Sequence, residues 1–224
     1  MVTICALIAA FNEEAHIADV VKGTAPHASP IVVVDDGSTD NTAARARDAG
    51  AIVIRHEQNQ GKGCAIRTGL AHVLQQDRSH VLFLDGDLQH DTAEIPRLLA
   101  RAEQGHGDLV IGERELRKNA MPAARFYANV IGSAILSRFI GGDVADSQSG
   151  FRVIRTDLLR LVHLTGTGYE IETEILIKLV RAGAIVDRVT VSRLQYEGAN
   201  SKMRPFWDTF RTCLLAVHYR YLSG

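Results

Sequence analysis

Little in this chain pulls it toward a specialised class. Cysteine is scarce: Cys5, Cys64 and Cys213 are far apart and odd in number. That excludes a disulfide framework, and no CxxC or Cys/His spacing suggests zinc. Reduced thiols of this kind suit a cytoplasmic protein. Neither sign of charge is in excess, since 25 basic and 26 acidic side chains leave a net charge of −1. No global field draws in nucleic acid, so an anionic ligand must be met by a local basic patch. Long apolar runs are missing too, and no window reaches the ~20 apolar residues that cross a bilayer. Residues 2–11 are apolar, but no basic residue precedes them and Asn12-Glu13-Glu14 follow. That reads as a first core strand rather than a signal peptide. Repeats, low-complexity tracts and linkers are absent, which argues against solenoids and arrays.

What remains is an ordinary globular composition, 46% apolar and 23% charged over 224 residues, enough for one large core. Short β-branched runs predict strands at 2–8, 31–34, 51–55, 81–84 and 109–111. Amphipathic stretches between them predict helices at 13–22, 41–49, 62–75 and 92–103. Alternation of this kind specifies an α/β fold whose mostly parallel sheet is covered on both faces. Ligands in such sheets bind beyond the carboxyl ends of the strands, which places residues 12–14, 35–38 and 85–89 along one edge. The second half is less regular, with strands expected at 150–154 and 185–191 and helices at 123–139, 170–181 and 206–220. The pattern reads as a single domain over 1–224, with a nucleotide half to about residue 112 and an acceptor half from about residue 113.

The sharpest local signal is Val81-Leu82-Phe83-Leu84-Asp85-Gly86-Asp87-Leu88-Gln89-His90. An apolar strand delivers two carboxylates at i and i+2, and if the strand persists both point to one side. Paired hard oxygen ligands suit Mg2+ or Mn2+ bridging a diphosphate. The bland alternative is a turn whose aspartates cap the next helix, a task Asp91 can also perform. A second strand ends in Asp35-Asp36-Gly37-Ser38-Thr39-Asp40. There Asp36 is a candidate acceptor for a nucleobase, while Thr39 or Asp40 serves as a cap. Asn59-Gln60-Gly61-Lys62-Gly63 fits neither GxxxxGK[ST] nor GxGxxG. A tight entry into a helix explains it as well as a phosphate site does, with Lys62 and Arg67 kept as donor contacts. Basic residues that suit a diphosphate are Arg114, Arg125 and Lys202.

Taken in order, these strings resemble family 2 glycosyltransferases of the dolichol-phosphate mannose synthase type. Ile8-Ala9-Ala10-Phe11-Asn12-Glu13-Glu14 is similar to that family's P-x-Y-N-E, and Asp85-Gly86-Asp87-Leu88-Gln89-His90 to its D-A-D-L-Q-H. Asn59-Gln60-Gly61-Lys62-Gly63 is similar to its N-x-G-K-G, Gly112-Glu113-Arg114 to its G-S-R, and Asp146 through Arg152 to its D-x-x-S-G-F-R. The likeness runs from about residue 3 to about residue 203. It implies a GT-A fold and a divalent cation, Mg2+ or Mn2+, on Asp85, Asp87 and Gln89. It places the donor's base and ribose near Ala9, Phe11, Glu13 and Asp36, and its phosphates near Arg114, Arg125 and Lys202. Ala9 replaces the usual proline and Phe11 the usual tyrosine, so base selectivity does not carry over.

The resemblance implies inverting transfer of a hexose from a GDP-mannose or UDP-glucose type donor to a polyprenyl (dolichyl or undecaprenyl) phosphate. Asp87, Asp146 and Arg114 are the expected catalytic residues, Asp146 as base with Glu172 as a weaker candidate. A loop carboxylate tying down Arg152 explains Asp146 equally well. A phosphate acceptor, with a second pKa near ~6, needs orientation more than deprotonation. Phe206, Trp207, Phe210, Leu214 and Val217 recur at helical spacing beside Arg211 and Arg220. That C-terminal amphipathic helix suits a membrane interface on the cytoplasmic face, a membrane subunit, or packing on the chain's own sheet. Rival readings are the same fold with a soluble acceptor, a haloacid-type phosphatase, and an inactive nucleotide-binding scaffold. The phosphatase expects its aspartate pair after the first strand, whereas here it follows the fourth.

Overall fold

In the computed structural model, residues 2–114 and 149–192 are described, the side chain of Arg114 excepted. The helices expected at 123–139 and 206–220, and with them Arg125, Asp146 and Lys202, lie outside the described residues. The β-branched runs form strands β1 (Ile4–Ala10), β2 (Ile31–Asp35), β3 (Ile52–Arg55), β4 (His80–Asp85) and β5 (Leu109–Arg114). Between them run helices α1 (Ile17–Thr24), α2 (Thr42–Asp48), α3 (Lys62–Val73) and α4 (Ile95–Glu103). Strand β6 (Arg152–Arg155), helices α5 (Thr156–Leu161) and α6 (Ile171–Arg181), and strand β7 (Val186–Val191) follow.

The strands make one seven-stranded sheet in the order β3-β2-β1-β4-β6-β5-β7. β1 pairs in parallel with both β2 and β4, and β5 with β7, while β6 runs antiparallel to β4 and β5. Alternation along β1 sorts its side chains between two cores. Cys5 and Leu7 pack with Ala65, Ile66 and Leu70 of α3 and Ile175 and Leu179 of α6. Ile4, Ala6, Ile8 and Ala10 pack with Ile17 and Val20 of α1 and Leu98 of α4. Both faces of the sheet are therefore covered, which is why its central strands are apolar nearly throughout rather than alternating.

Two departures from the sequence reading have local causes. The helix expected from residue 13 starts at Ile17, because Asn12 takes φ 52° and residues 12–14 reach sideways. The Glu13 N–H donates to Thr42 Oγ1 at 2.8 Å, and Glu14 Oε2 accepts from the Asn41 N–H at 3.0 Å. Helix α5 went unforeseen because six residues are too short to show a helical period.

Register fixes where the acidic strand ends meet. Ala10 of β1 lies opposite Asp35 of β2, and Ala9 lies opposite Asp85 of β4. The two carboxylates thus flank the end of β1, where the chain's neighbours change from one side to the other and a crevice opens.

Candidate active site

Strand β4 ends at Asp85, and the turn that follows carries Asp87. Leu88 has φ 57°, a left-handed conformation that costs a side-chain-bearing residue about 1–2 kcal/mol. Asp87 is consequently presented by a turn rather than by a continuing strand. Its Oδ1 accepts from the Gln89 backbone N–H at 3.0 Å and its Oδ2 from the Gln89 side-chain amide at 2.7 Å. The helix-capping task falls to Asp91, whose Oδ1 accepts from the Ala93 N–H at 2.9 Å. Asp85 and Asp87 are not spent on capping.

Asp85 is held from two sides. Lys62 Nζ lies 2.6 Å from Oδ1, and His90 Nε2 lies 3.4 Å from Oδ2. His90 is buried and stacks on Phe151 with ring centroids 5.2 Å apart. Burial alone would raise the Asp85 pKa, but Lys62 and His90 outweigh it and hold the carboxyl well below the usual range. Lys62 also meets Glu172 Oε1 at 2.5 Å. Burial opposes its charge, yet Asp85 and Glu172 push its pKa well above that of an ordinary lysine.

The second acidic strand end is met by the loop that follows β3. Asp36 is buried, and its Oδ1 accepts from the Gln60 N–H at 3.0 Å and faces His56 Nδ1 at 2.7 Å. Its Oδ2 accepts from the Gly61 N–H at 2.8 Å. Asp35 Oδ1 accepts from the Ser38 N–H at 3.0 Å. Of the other residues expected near the base, Ala9 is partly buried beside Asp85's strand, while Phe11 and Glu13 lie just past the end of β1. Arg114 closes β5 opposite Val191. β5 and β4 run the same way with β6 between them, so Arg114 ends on the edge that carries Asp85.

Sequence reasoning did not foresee the polar cluster behind Asp85. Arg152 is fully buried, its Nε donating to the Ser149 carbonyl at 2.7 Å and its guanidinium to the Glu172 carbonyl at 2.6 Å. A small cavity lined by Ala9, Lys62, Asp85, Gly150, Arg152 and Glu172 sits at this point. The glycine-rich entry to α3 is used for packing. The N–H of Gly63 donates to the Thr167 carbonyl at 2.9 Å and that of Gly61, the N-cap, to the Asp36 carboxylate, so groups of the protein itself meet this helix start. Among the described residues, no group of three or more His, Cys, Asp or Glu side chains is arranged to hold a metal ion. The donor set at the β4 turn is nonetheless all hard oxygen once the Gln89 carboxamide is counted, and it fits Mg2+ or Mn2+.

Residues 5–162 match the sequence profile of glycosyl transferase family 2. The chain belongs to that family. This glycosyltransferase is 32% identical to glycosyltransferase AglJ of Haloferax volcanii, over 92% of the chain and 68% of the relative. It is 31% identical to the UDP-N-acetylglucosamine–dolichyl-phosphate N-acetylglucosaminyltransferase of Methanococcus voltae, over 76% of the chain and 77% of that protein. Among solved structures it resembles Mycobacterium tuberculosis glucosyl-3-phosphoglycerate synthase in complex with Mn2+, UDP and glucosyl-3-phosphoglycerate. That match has a TM-score of 0.71 and 25% identity, and it covers 98% of the chain and 80% of the synthase. The family 2 glycosyltransferase therefore has the GT-A architecture, with β6 as the reversed strand of an otherwise parallel sheet.

Proposed function

We propose that this glycosyltransferase moves a hexose, with inversion, from a nucleoside diphosphate sugar to a polyprenyl phosphate. The observation that carries the reading is the Asp85–Gln89 turn. Asp85 ends β4 beside Ala9 on the carboxyl edge of the sheet, Asp87 and Gln89 follow in the turn, and capping is left to Asp91. Asp85, Asp87 and Gln89 would hold Mg2+ or Mn2+, which when bound supplies positive charge to the departing diphosphate. GDP-mannose and UDP-glucose are the leading donor types.

The chain's own residues then have to orient two anions rather than create a nucleophile. A phosphate monoester near neutral pH is already largely ionised, so its oxygen can attack the anomeric carbon opposite the leaving group without prior deprotonation. Arg114, ending β5 on the same edge, is assigned to phosphate, joined by Arg125 and Lys202. Asp146 is required as a base only where the acceptor is an alcohol. The lipid acceptor is supported by the Methanococcus relative, whose name specifies dolichyl phosphate. Among the described residues no helix is long and apolar enough to cross a membrane, and contact with a membrane surface is assigned to the 206–220 segment.

A second reading is favoured by the solved glucosyl-3-phosphoglycerate synthase complex, whose product carries a soluble acceptor. Incubation with radiolabelled donor, Mn2+ and either polyprenyl phosphate or 3-phosphoglycerate separates the two. Label entering the organic phase supports the lipid acceptor, and label confined to a soluble product rejects it.

A further inference from the structure

Lys62 comes to the site by an unusual route. It is flanked by Gly61 and Gly63, and both press backbone to backbone on the loop before α6. A Cβ on Gly61 would lie 2.4 Å from the Thr167 carbonyl oxygen, and one on Gly63 would lie 2.5 Å from that of Gly166. Only glycine on both sides lets the start of α3 sink this far toward residues 166–168. A third glycine completes the arrangement. A Cβ on Gly150 would fall 2.8 Å from Glu172 Oε1 and 2.9 Å from Asp85 Oδ2, so the bare face of Gly150 is what allows both carboxylates to close on one point.

At that point sits the Lys62 ammonium, 2.6 Å from Asp85 and 2.5 Å from Glu172, with the Tyr169 ring centroid at 5.7 Å. An ammonium has three N–H donors. Two are taken by carboxylates and an aromatic face covers a further side, which leaves the group committed inside the protein rather than extended toward a diphosphate. Asp85 belongs to β4 and the donor edge, whereas Glu172 opens α6, whose backbone carbonyl also receives Arg152. Without the ammonium, two carboxylates would face each other in a buried place, a costly arrangement.

We propose that Lys62 is a positioning residue: an internal cation that aims Asp85 for the donor and ties it through Glu172 to α6 of the opposite half. The assignment rests on the glycosyl-transfer reading for what Asp85 does, and on geometry alone for the tie itself. It gives the Gly-Lys-Gly string a purpose distinct from phosphate binding. The glycines set the depth of α3, and the lysine between them converts that depth into the orientation of a carboxylate in the site.

A double-mutant cycle on Lys62→Met and Glu172→Gln tests the tie, read by calorimetry of UDP and of GDP binding in the presence of Mn2+. Lys62→Met should weaken binding at least about tenfold, and adding Glu172→Gln should recover at least about threefold, the non-additivity expected of residues in one network. A lysine that touches the diphosphate directly would give additive losses. A lysine that only pins the fold would lower the thermal midpoint and leave the affinity of the folded protein unchanged. Either result overturns the proposal. Where Lys62→Met does not fold, Lys62→Arg replaces it in the same cycle, and additivity there is equally fatal. If the wild-type protein binds neither nucleotide, the glycosyl-transfer reading falls. The cycle read in thermal midpoints of the ligand-free proteins then still decides whether Lys62 and Glu172 are coupled.

Discussion

Gly63→Ala isolates the packing on which the position of Lys62 depends. Gly63 is the second residue of α3 and does not need a positive φ, so alanine is acceptable to its backbone. Helix propensity even favours the change by up to about 1 kcal/mol. Against that, the new Cβ would meet Gly166 O at 2.5 Å and Thr167 C at 2.7 Å. Both contacts are backbone atoms that no rotamer change can move aside. Their loop is itself fixed, because Glu170 Oε1 accepts from the Thr167 and Gly168 N–H groups and Glu174 Oε2 from the Gly166 N–H. Overpacking of this kind costs about 1–3 kcal/mol, and a stretched Gly63–Thr167 hydrogen bond adds about 0.5–1.5 kcal/mol. The net expectation is a loss of about 0.5–3.5 kcal/mol after the propensity gain is set against these costs. Urea denaturation should show a lower midpoint at unchanged slope, the signature of altered stability rather than altered compactness. Nucleotide affinity should fall as well, since α3 would back away and draw Lys62 from Asp85. A Gly63→Ala protein with the wild-type midpoint and wild-type affinity would refute the close-packing account.

Three other outcomes can be checked with the same material. Asp87→Ala should abolish the dependence of nucleoside diphosphate binding on Mn2+ in calorimetry, and a dependence that persists would remove Asp87 from the metal site. Asp36→Ala should lower unfolding free energy by about 2–4 kcal/mol in urea, since the Gln60 and Gly61 N–H groups lose their acceptor and His56 loses its partner. Glu174 is fully buried; burial would raise its pKa from 4.5, but hydrogen bonds from Lys178, Gly166 and Thr165 outweigh this and lower it. A depressed carboxyl pKa contributes stability above the unfolded value, and that contribution fades as pH falls through the folded one. Thermal midpoints should thus drop on acidification below about pH 4.5, and Glu174→Gln should flatten that part of the profile.

Much of the first half was legible because its signals are local. Apolar β-branched runs mark β1, β2 and β4, and the acidic residues closing them mark the carboxyl edge. The sequence also pointed to Asp91 as an alternative cap, and the structure uses it so. Non-local features left no such trace. Asp36, read at a strand end as an acceptor for a nucleobase, also holds the 56–61 loop on the end of β2. The contact of Lys62 with Glu172 spans 110 positions, and nothing in the local spacing of either residue announces it. β6 is only Arg152-Val153-Ile154-Arg155, and strand direction is not encoded in a run of four residues. Gly150, by contrast, could have been suspected, since a glycine entering a strand often marks close approach by other atoms.

The reversed direction of β6 has a consequence for the stretch that precedes it. β5 finishes at Arg114 on the catalytic rim, and β6, pairing Arg152 with Phe83 and Ile111, sets out from that same rim. The stretch that joins Arg114 to Ser149 therefore leaves and rejoins the described sheet on that one rim. On the glycosyl-transfer reading, exchanging that stretch would alter Arg125 and Asp146 while leaving Asp85, Asp87 and Gln89 in place on the sheet edge.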